Sequence, residues 1–255
     1  MKFTKMQSLG NDFVFFGSTE KEISVSSEQI RLLCDRHYGI GADCAVSICN
    51  SKNADYKMRV FNPDGFEAEM CGNALRCSAK FVNDSFITDK SEYVVETNSG
   101  ARVVKNDRGI VTAEIGAPQI LKELSFAIDG IEHKLHLINI GNPHCIVHAV
   151  DSRDENFKRI GKVISESDLF ADGCNVEFIT ISNENEAVIR IWERGIGETL
   201  SCVTGSCAVA AVLSSKYDNY LIKQPGGTVR VERRSCANMF VSGKCETVFT
   251  GEINI

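Results

Sequence analysis

The sequence predicts an α/β (α+β) protein built from two pseudo-symmetric mixed-sheet domains, each curled around a central helix. Two observations carry that prediction. The chain repeats itself at a fixed offset, and each copy runs from an alternating strand through a polar loop into a cysteine and then a helix.

The repeat appears when MRVFNPDGFEAEMCGNALRC (58–77) is laid on IRIWERGIGETLSCVTGSC (189–207). Placing Cys71 on Cys202 sets the offset at 202 − 71 = 131, and it pairs Arg59 with Arg190, Phe61 with Trp192 and Glu67 with Glu198. The same offset puts LGNDFV (9–14) on IGNPHC (140–145) and ADCAVSI (42–48) on GCNVEFI (173–179). Three segments in order at one offset are beyond chance similarity of short apolar strings. Further on the register slips by a few residues, with ARVV (101–104) resembling TVRV (228–231).

Within each copy, YKMRVF (56–61) and AVIRIW (187–192) alternate as half-buried strands do. Leu75, Ala79, Val82 and Phe86 keep helical spacing, and CAVAAVL (207–213) is apolar on every side. A helix without a polar face has to be buried, which places it in the middle of a surrounding sheet. Gly-bearing turns at 107–109 and 225–227 punctuate further short strands. The expected domains are 1–116 and 117–247.

Composition narrows the function. A net charge of −6, with no Lys/Arg-rich run, argues against nucleic acid or an anionic membrane as partner. No apolar run approaches the roughly 18 residues a membrane span needs, and the N-terminus has no signal core, so the expected location is cytoplasmic. Eleven cysteines without one Cys-x-x-Cys pair, alongside five histidines, read as reduced thiols and not as a metal site.

Taken singly, Cys71 or Cys202 reads as a small buried hydrophobe. Their matched place before a buried helix gives them another reading. The first N–H groups of a helix are unpartnered and carry partial positive charge, which favours a thiolate or a carboxylate. The expectation is thiols brought close to neutrality, with the N–H groups of Gly72-Asn73 and Val203-Thr204 free to hold a substrate carboxylate. With the halves face to face, a sulfur stands on either side of a substrate Cα. One thiolate then removes the α-proton while the opposite thiol returns one. Cys77 and Cys207 lie inside the helices and read as core.

The segments GNDFV (10–14), DRHYGIGAD (35–43), FNPDGFEAEMCGN (61–73), GNPHC (141–145), GCNVEF (173–178) and ERGIGETLSCVTG (193–205) resemble, in order, the motifs of diaminopimelate epimerases. The resemblance runs from residue 2 to about 213, and VFTGEI (248–253) is similar to the family's closing strand, which implies that 248–255 returns to the N-terminal domain. It implies a cofactor-independent interconversion of LL- and meso-diaminopimelate in lysine and peptidoglycan synthesis, with no PLP, no metal and a possible homodimer. Carried over by position, Cys71 and Cys202 are the acid/base pair, and His144 and Glu193 resemble the residues that orient and polarise the thiols. Asn11, Asn62, Asn142, Asn175, Glu193 and Arg194 resemble contacts to the substrate's distal amino-acid end. An Arg fork suits a carboxylate, and Asn serves both an ammonium and a carboxylate.

Four departures bear on substrate. Ala74 and Val203 replace glycines of the family's two cysteine motifs, Cys44 stands where Gln or Gly is usual at a substrate-side position, and Phe66 replaces a Ser. A β-branched Val203 excludes positive φ and crowds the carboxylate pocket. The competing readings are the same chemistry on lanthionine, histidine or a proline-type amino acid, and a non-catalytic binding or thiol-redox protein.

Overall fold

The computed structural model describes residues 1–86, 90–148, 156–213 and 215–255. The chain separates into two compact units, 1–114 with 243–255, and 115–242. The returning segment of the first unit thus begins at Gly243.

Up to the first boundary the elements are β1 (Lys2–Ser8), β2 (Asn11–Gly17), α1 (Ser27–Cys34), β3 (Cys44–Cys49), β4 (Tyr56–Phe61), β5 (Glu67–Ala68), α2 (Gly72–Phe86), β6 (Glu92–Thr97), β7 (Gly100–Asp107) and β8 (Ile110–Gly116). The second stretch holds β9 (Gln119–Ile128), β10 (Ile131–Asn139), β11 (Pro143–His148), α3 (Phe157–Ser165), β12 (Asn175–Asn183), β13 (Glu186–Glu193), β14 (Gly197–Thr199), α4 (Val203–Val212), β15 (Asn219–Gln224), β16 (Gly227–Arg233) and β17 (Met239–Lys244). The last strand, β18 (Glu246–Glu252), pairs antiparallel with β1.

The duplication is written into the strand registers. In the first unit Phe13 pairs with Cys44 in parallel, Ala45 with Phe61 and Val60 with Ala68 in antiparallel. Adding 131 to each gives His144 with Asn175, Val176 with Trp192 and Ile191 with Thr199, the pairs found in the second unit. An ion pair repeats too: Arg59 grips Glu67 at 3.0 and 2.8 Å, and Arg190 grips Glu198 at 3.1 and 2.7 Å. Beyond the central helix the offset changes. Tyr56 pairs with Val95, whereas its counterpart Ala187 pairs with Ile222, and 95 + 131 − 222 leaves a deletion of 4.

Each sheet curls because its helix touches strands far apart in the ladder. Helix α2 packs on β1, β2, β4 and β7, and α4 on β10, β11, β12, β15 and β16. Leu75, Ala79 and Val82 are buried as their spacing predicts, while Phe86, at the end of α2, is 36% exposed. In α4 the run from Gly205 to Ala210 is buried without a break, as an all-apolar helix requires. On β2 the alternation splits the aromatics: Phe15 stacks on Phe81 of α2 at 5.3 Å, and Val14 and Phe16 face α1.

The sequence reading anticipates one helix per half, and the described residues form two α-helices in each. Helix α1, closed by a Ser26/Gln29 capping box, packs Ile30, Leu33 and Cys34 on the outer sheet face. Helix α3 does the same with Phe157, Ile160 and Ile164 against Cys145, Val147, Val176 and Phe178. Both are short, so their amphipathic pattern spans only two to three turns.

An ion cluster braces the start of β2. The Asp12 carboxylate receives both guanidinium nitrogens of Arg36, at 2.9 and 2.8 Å, and the ammonium of Lys5 at 2.6 Å. Burial pushes the Asp12 carboxyl up, yet the bonds from Arg36, Lys5 and the Asp43 N–H outweigh it and hold it well below the ordinary 3.8. A carboxyl lowered in the folded state stabilises the protein fully above its ordinary value, and that stabilisation is lost as pH falls below it. Asp12→Asn is therefore expected to cost about 2 kcal/mol at pH 7, with the gap to the unmutated protein closing below about pH 4. Urea titrations across pH check this; a gap that does not change with pH overturns it.

Candidate active site

The first group of predicted residues assembles around the start of α2. A two-residue turn with Leu9 at φ 57° and Gly10 at φ 79° delivers Asn11 to the head of β2. The Asn11 amide donates to Asp43 Oδ2 at 2.8 Å, and Asp43 in turn accepts from Arg36 at 2.8 Å. Held this way, Asn11 presents Oδ1 to the Cys71 thiol at 3.7 Å and to the Asn73 amide at 3.3 Å. The DRHYGIGAD segment (35–43) therefore acts through Arg36 and Asp43 to aim Asn11.

Cys71 stands immediately before α2, and its carbonyl accepts the first helical bond from Leu75 N at 2.8 Å. Asn73, at the second helical position, is fixed from behind by Arg76 Nη2 on its Oδ1 at 2.5 Å. Arg76 is fully buried, and its remaining Nε and Nη1 have no acceptor among the described residues. Cys44 and Asn62 lie side by side, Sγ to Oδ1 at 4.0 Å. Gly72 and Ala74 are buried helical residues, whereas Phe66 is 69% exposed.

The second group forms around the start of α4. The Cys202 carbonyl accepts from Ser206 N at 3.0 Å, the same bond as in the first unit at +131. Its Sγ accepts from the Gly205 N–H at 3.3 Å and lies 3.3 Å from Thr204 Oγ1, and its own N–H donates to Gln224 Oε1 at 3.1 Å. Asn142 reaches Thr204 Oγ1 at 3.5 Å and offers Oδ1 to His144 Nε2 at 3.0 Å. Val203 opens α4 and is absent from the residues with positive φ, so the helical geometry there makes no demand for glycine.

Glu193 and Arg194 end β13. Thr199 Oγ1 donates to Glu193 Oε1 at 2.6 Å, and Asn175 Oδ1 caps the Arg194 N–H at 3.0 Å. The Arg194 guanidinium donates to the Asp172 carbonyl at 3.1 Å and lines a cavity of about 600 Å³ with Trp192, Ile196 and Lys162. That cavity contains neither cysteine.

One expectation is overturned. The helix start was expected to bring Cys202 toward neutrality, but its thiol is pushed well above the ordinary value. Burial does most of this, followed by the negative charges of Glu193 and Glu177, and the bonds from Thr204 and Gly205 do not compensate. Cys202 thus rests as a thiol. Cys77 and Cys207 are fully buried, as expected of core residues, and burial likewise pushes the core thiol of Cys34 up to about 11.

Glu177 is the residue that the sequence reading missed. It projects from β12 with no solvent exposure, and its Oε1 is 2.8 Å from His144 Nδ1. One donor atom each from His144, Glu177 and Cys202 lies within 4.8 Å of the others. Both ring nitrogens of His144 are hydrogen-bonded to side-chain oxygens, and Cys202 Sγ accepts from the Gly205 N–H. The signal was a lone acid in the apolar strand NVEFI, but the repeat pairs it with Val46 and so gave it no counterpart.

Similarity to known proteins runs over the whole chain. The family model described as diaminopimelate epimerase matches residues 3–121 and 136–248. A diaminopimelate epimerase of Leptospira biflexa is 34% identical, with 100% of this chain and 99% of that protein covered. One from Methanococcus maripaludis is 38% identical with both chains fully covered. Among solved structures, a phenazine biosynthesis protein of the PhzF family from Bacillus anthracis superposes with a TM-score of 0.72 at 17% identity, covering 100% of this chain and 99% of its own, which shows a shared fold. With 34–38% identity running end to end and the family model matched across both halves, the chain belongs to the diaminopimelate epimerase family.

Proposed function

We propose that the protein is a cofactor-independent epimerase that interconverts LL- and meso-diaminopimelate by a two-base mechanism, with Cys71 and Cys202 serving opposite faces of one substrate Cα. The observation that carries this reading is the matched placement of the two cysteines. Each is the last residue before a buried helix, and each accepts that helix's first backbone bond at positions related by 131. Duplicated halves with one sulfur apiece suit a reaction whose two proton positions are mirror-related.

In the proposed cycle the Cys71 thiolate takes the α-proton and the Cys202 thiol, already protonated at rest, delivers one to the other face. Each proton removed ends on one sulfur and each proton gained leaves the other, so the enzyme emerges with its charge exchanged and runs in reverse. The N–H groups of Gly72-Asn73 and Val203-Thr204 are the donors for the substrate carboxylate, stabilising the enediolate that develops as the proton leaves. His144 and Glu193 set the charge around Cys202, and Asn11, Asn62, Asn142, Asn175 and Arg194 recognise the distal amino-acid end. Cys44 belongs to the same substrate-side set. The pathway role in lysine and peptidoglycan synthesis, a cytosolic location and a homodimer are carried by the same family reading.

Deuterium wash-in from heavy water with diaminopimelate, lanthionine, histidine and proline, each supplied separately, tests the substrate. Diaminopimelate is expected to exchange fastest. Exchange of histidine or proline without diaminopimelate overturns the assignment.

A further inference from the structure

We infer that Arg76 is a positioning residue for Cys71: its buried guanidinium locks the Asn73–Asn11 pair against that sulfur and supplies a positive charge behind it. The inference rests on the acid/base reading above. Arg76 has no exposure, and its Nη2 donates to Asn73 Oδ1 at 2.5 Å. A guanidinium only donates, so the Asn73 atom that faces it is the oxygen, and the amide nitrogen points away. That nitrogen donates to Asn11 Oδ1 at 3.3 Å. The Asn11 amide in turn donates to Asp43 Oδ2 at 2.8 Å, which also accepts the Asp12 N–H at 3.1 Å. A donor-only group at one end and a carboxylate at the other give each amide one orientation, which leaves Asn11 Oδ1 facing Cys71 Sγ at 3.7 Å.

An arginine stays charged in a protein, and burying a charge is costly unless it is paired. Here Nε and Nη1 find no acceptor among the described residues. Of the elements packed on α2, β1 carries Lys5, which is tied to Asp12 of β2 at 2.6 Å, and β4 carries Tyr56, bonded to Ser78 at 2.8 Å. From β7 come the buried Val104 and the half-buried Arg102, and Cys245 stands before β18. The helix itself adds Cys77 and Lys80, the latter held by Asp84 at 2.6 Å. None of these groups is an unpaired acid. The charge of Arg76 reaches the neighbouring thiols: at Cys245 it reinforces the Cys77 bond that holds the thiol below its ordinary 9.0, and at Cys77 it works against the burial that raises it.

The repeat assigns this charge to one half of the chain. Adding 131 to Cys71 gives Cys202, but adding it to Arg76 gives Cys207, a buried residue without charge. At Cys202, burial and then the acid Glu193 keep the sulfur protonated. At the start of α2 the buried charge is a cation instead. Opposite charges at matched helix starts give two equivalent cysteines different resting roles, an acid at Cys202 and a base at Cys71. The hydrogen of Cys71 has an acceptor in Asn11 Oδ1, and the sulfur it leaves behind is favoured by the guanidinium and by the helix N–H groups.

The test is the rate at which iodoacetamide alkylates Cys71 in the full-length protein without substrate, followed by peptide mass from about pH 6 to 10. In Arg76→Met the Cys71 rate at about pH 7 is expected to fall roughly 10-fold, with its profile moved to higher pH and the Cys202 rate unchanged. Arg76→Lys should restore the Cys71 profile, because it returns the charge. In Arg76→Met kcat should fall about 10- to 100-fold near neutral pH and recover as pH rises, with a smaller change in KM. A Cys71 profile that is the same in Arg76→Met and the unmutated protein, or one that Arg76→Lys does not restore, overturns the inference. Cys245→Ser should leave the profile in place, and a displacement equal to that of Arg76→Met overturns the inference as well. Should Arg76→Met fail to fold, Arg76→Gln, which keeps a donor for Asn73 without the charge, decides it by the same rates. Alkylation needs no substrate, so failure of the epimerase reading, seen as unchanged turnover in Cys71→Ala, is told apart from failure of this one.

Discussion

Cys71→Ala and Cys202→Ala are each expected to lose epimerisation by at least about 10³-fold, within the 10²–10⁴ that a positioned acid or base contributes. Two acids on opposite faces cannot substitute for one another, because the remaining sulfur can only return a proton to the side from which it took it. Each variant should therefore still exchange the α-proton of one stereoisomer with retention, and the two should favour opposite stereoisomers. Chromatography that resolves LL- from meso-diaminopimelate, combined with deuterium content by mass, separates exchange from inversion. Unchanged turnover in either variant removes the two-base mechanism, and retention of the same isomer in both removes the opposed faces.

The second large effect is on stability. His144→Ala strips the buried Glu177 side chain of its partner at 2.8 Å, with both side chains fully buried. Breaking a buried pair from one side costs about 3–5 kcal/mol, because the surviving charge is left desolvated. For a chain of this size that is a fall in Tm of roughly 6–20 °C. Chemical denaturation of both proteins at neutral pH checks the magnitude. A loss below about 1 kcal/mol would remove the pair as a stabilising contact.

Much of the architecture is legible in the residues because repeats and periodicity are local signals. The offset of 131 foretells that the ladder registers from β2 to β5 recur from β11 to β14, and the all-apolar run from Cys207 foretells burial of α4. Helices α1 and α3 escape notice because eight or nine residues carry too few apolar positions to stand out.

The site divides in the same way. Cys71 and Cys202 are visible because each sits beside its own helix in sequence. The charge around Cys202 is not visible, since Glu177 and Glu193 reach it from two strands that only the folded sheet brings near. Helix-end logic predicts the sign of one contribution, and burial with two carboxylates reverses the sum. Val203 shows the opposite case, where a departure from the family's glycine that looks strained in sequence is an ordinary helical residue in the fold.

The pairing of β18 with β1 has a bearing on biosynthesis. Strand β1 has its neighbour β2 directly after it in the chain, but its other edge stays bare until β18, beyond the whole second unit, has been made. The N-terminal unit must wait through the synthesis of the whole intervening one with a sticky margin unsealed, which is when a nascent chain is open to wrong pairing or to chaperones. Closing that margin with β18 makes synthesis of the second unit a precondition for sealing the first.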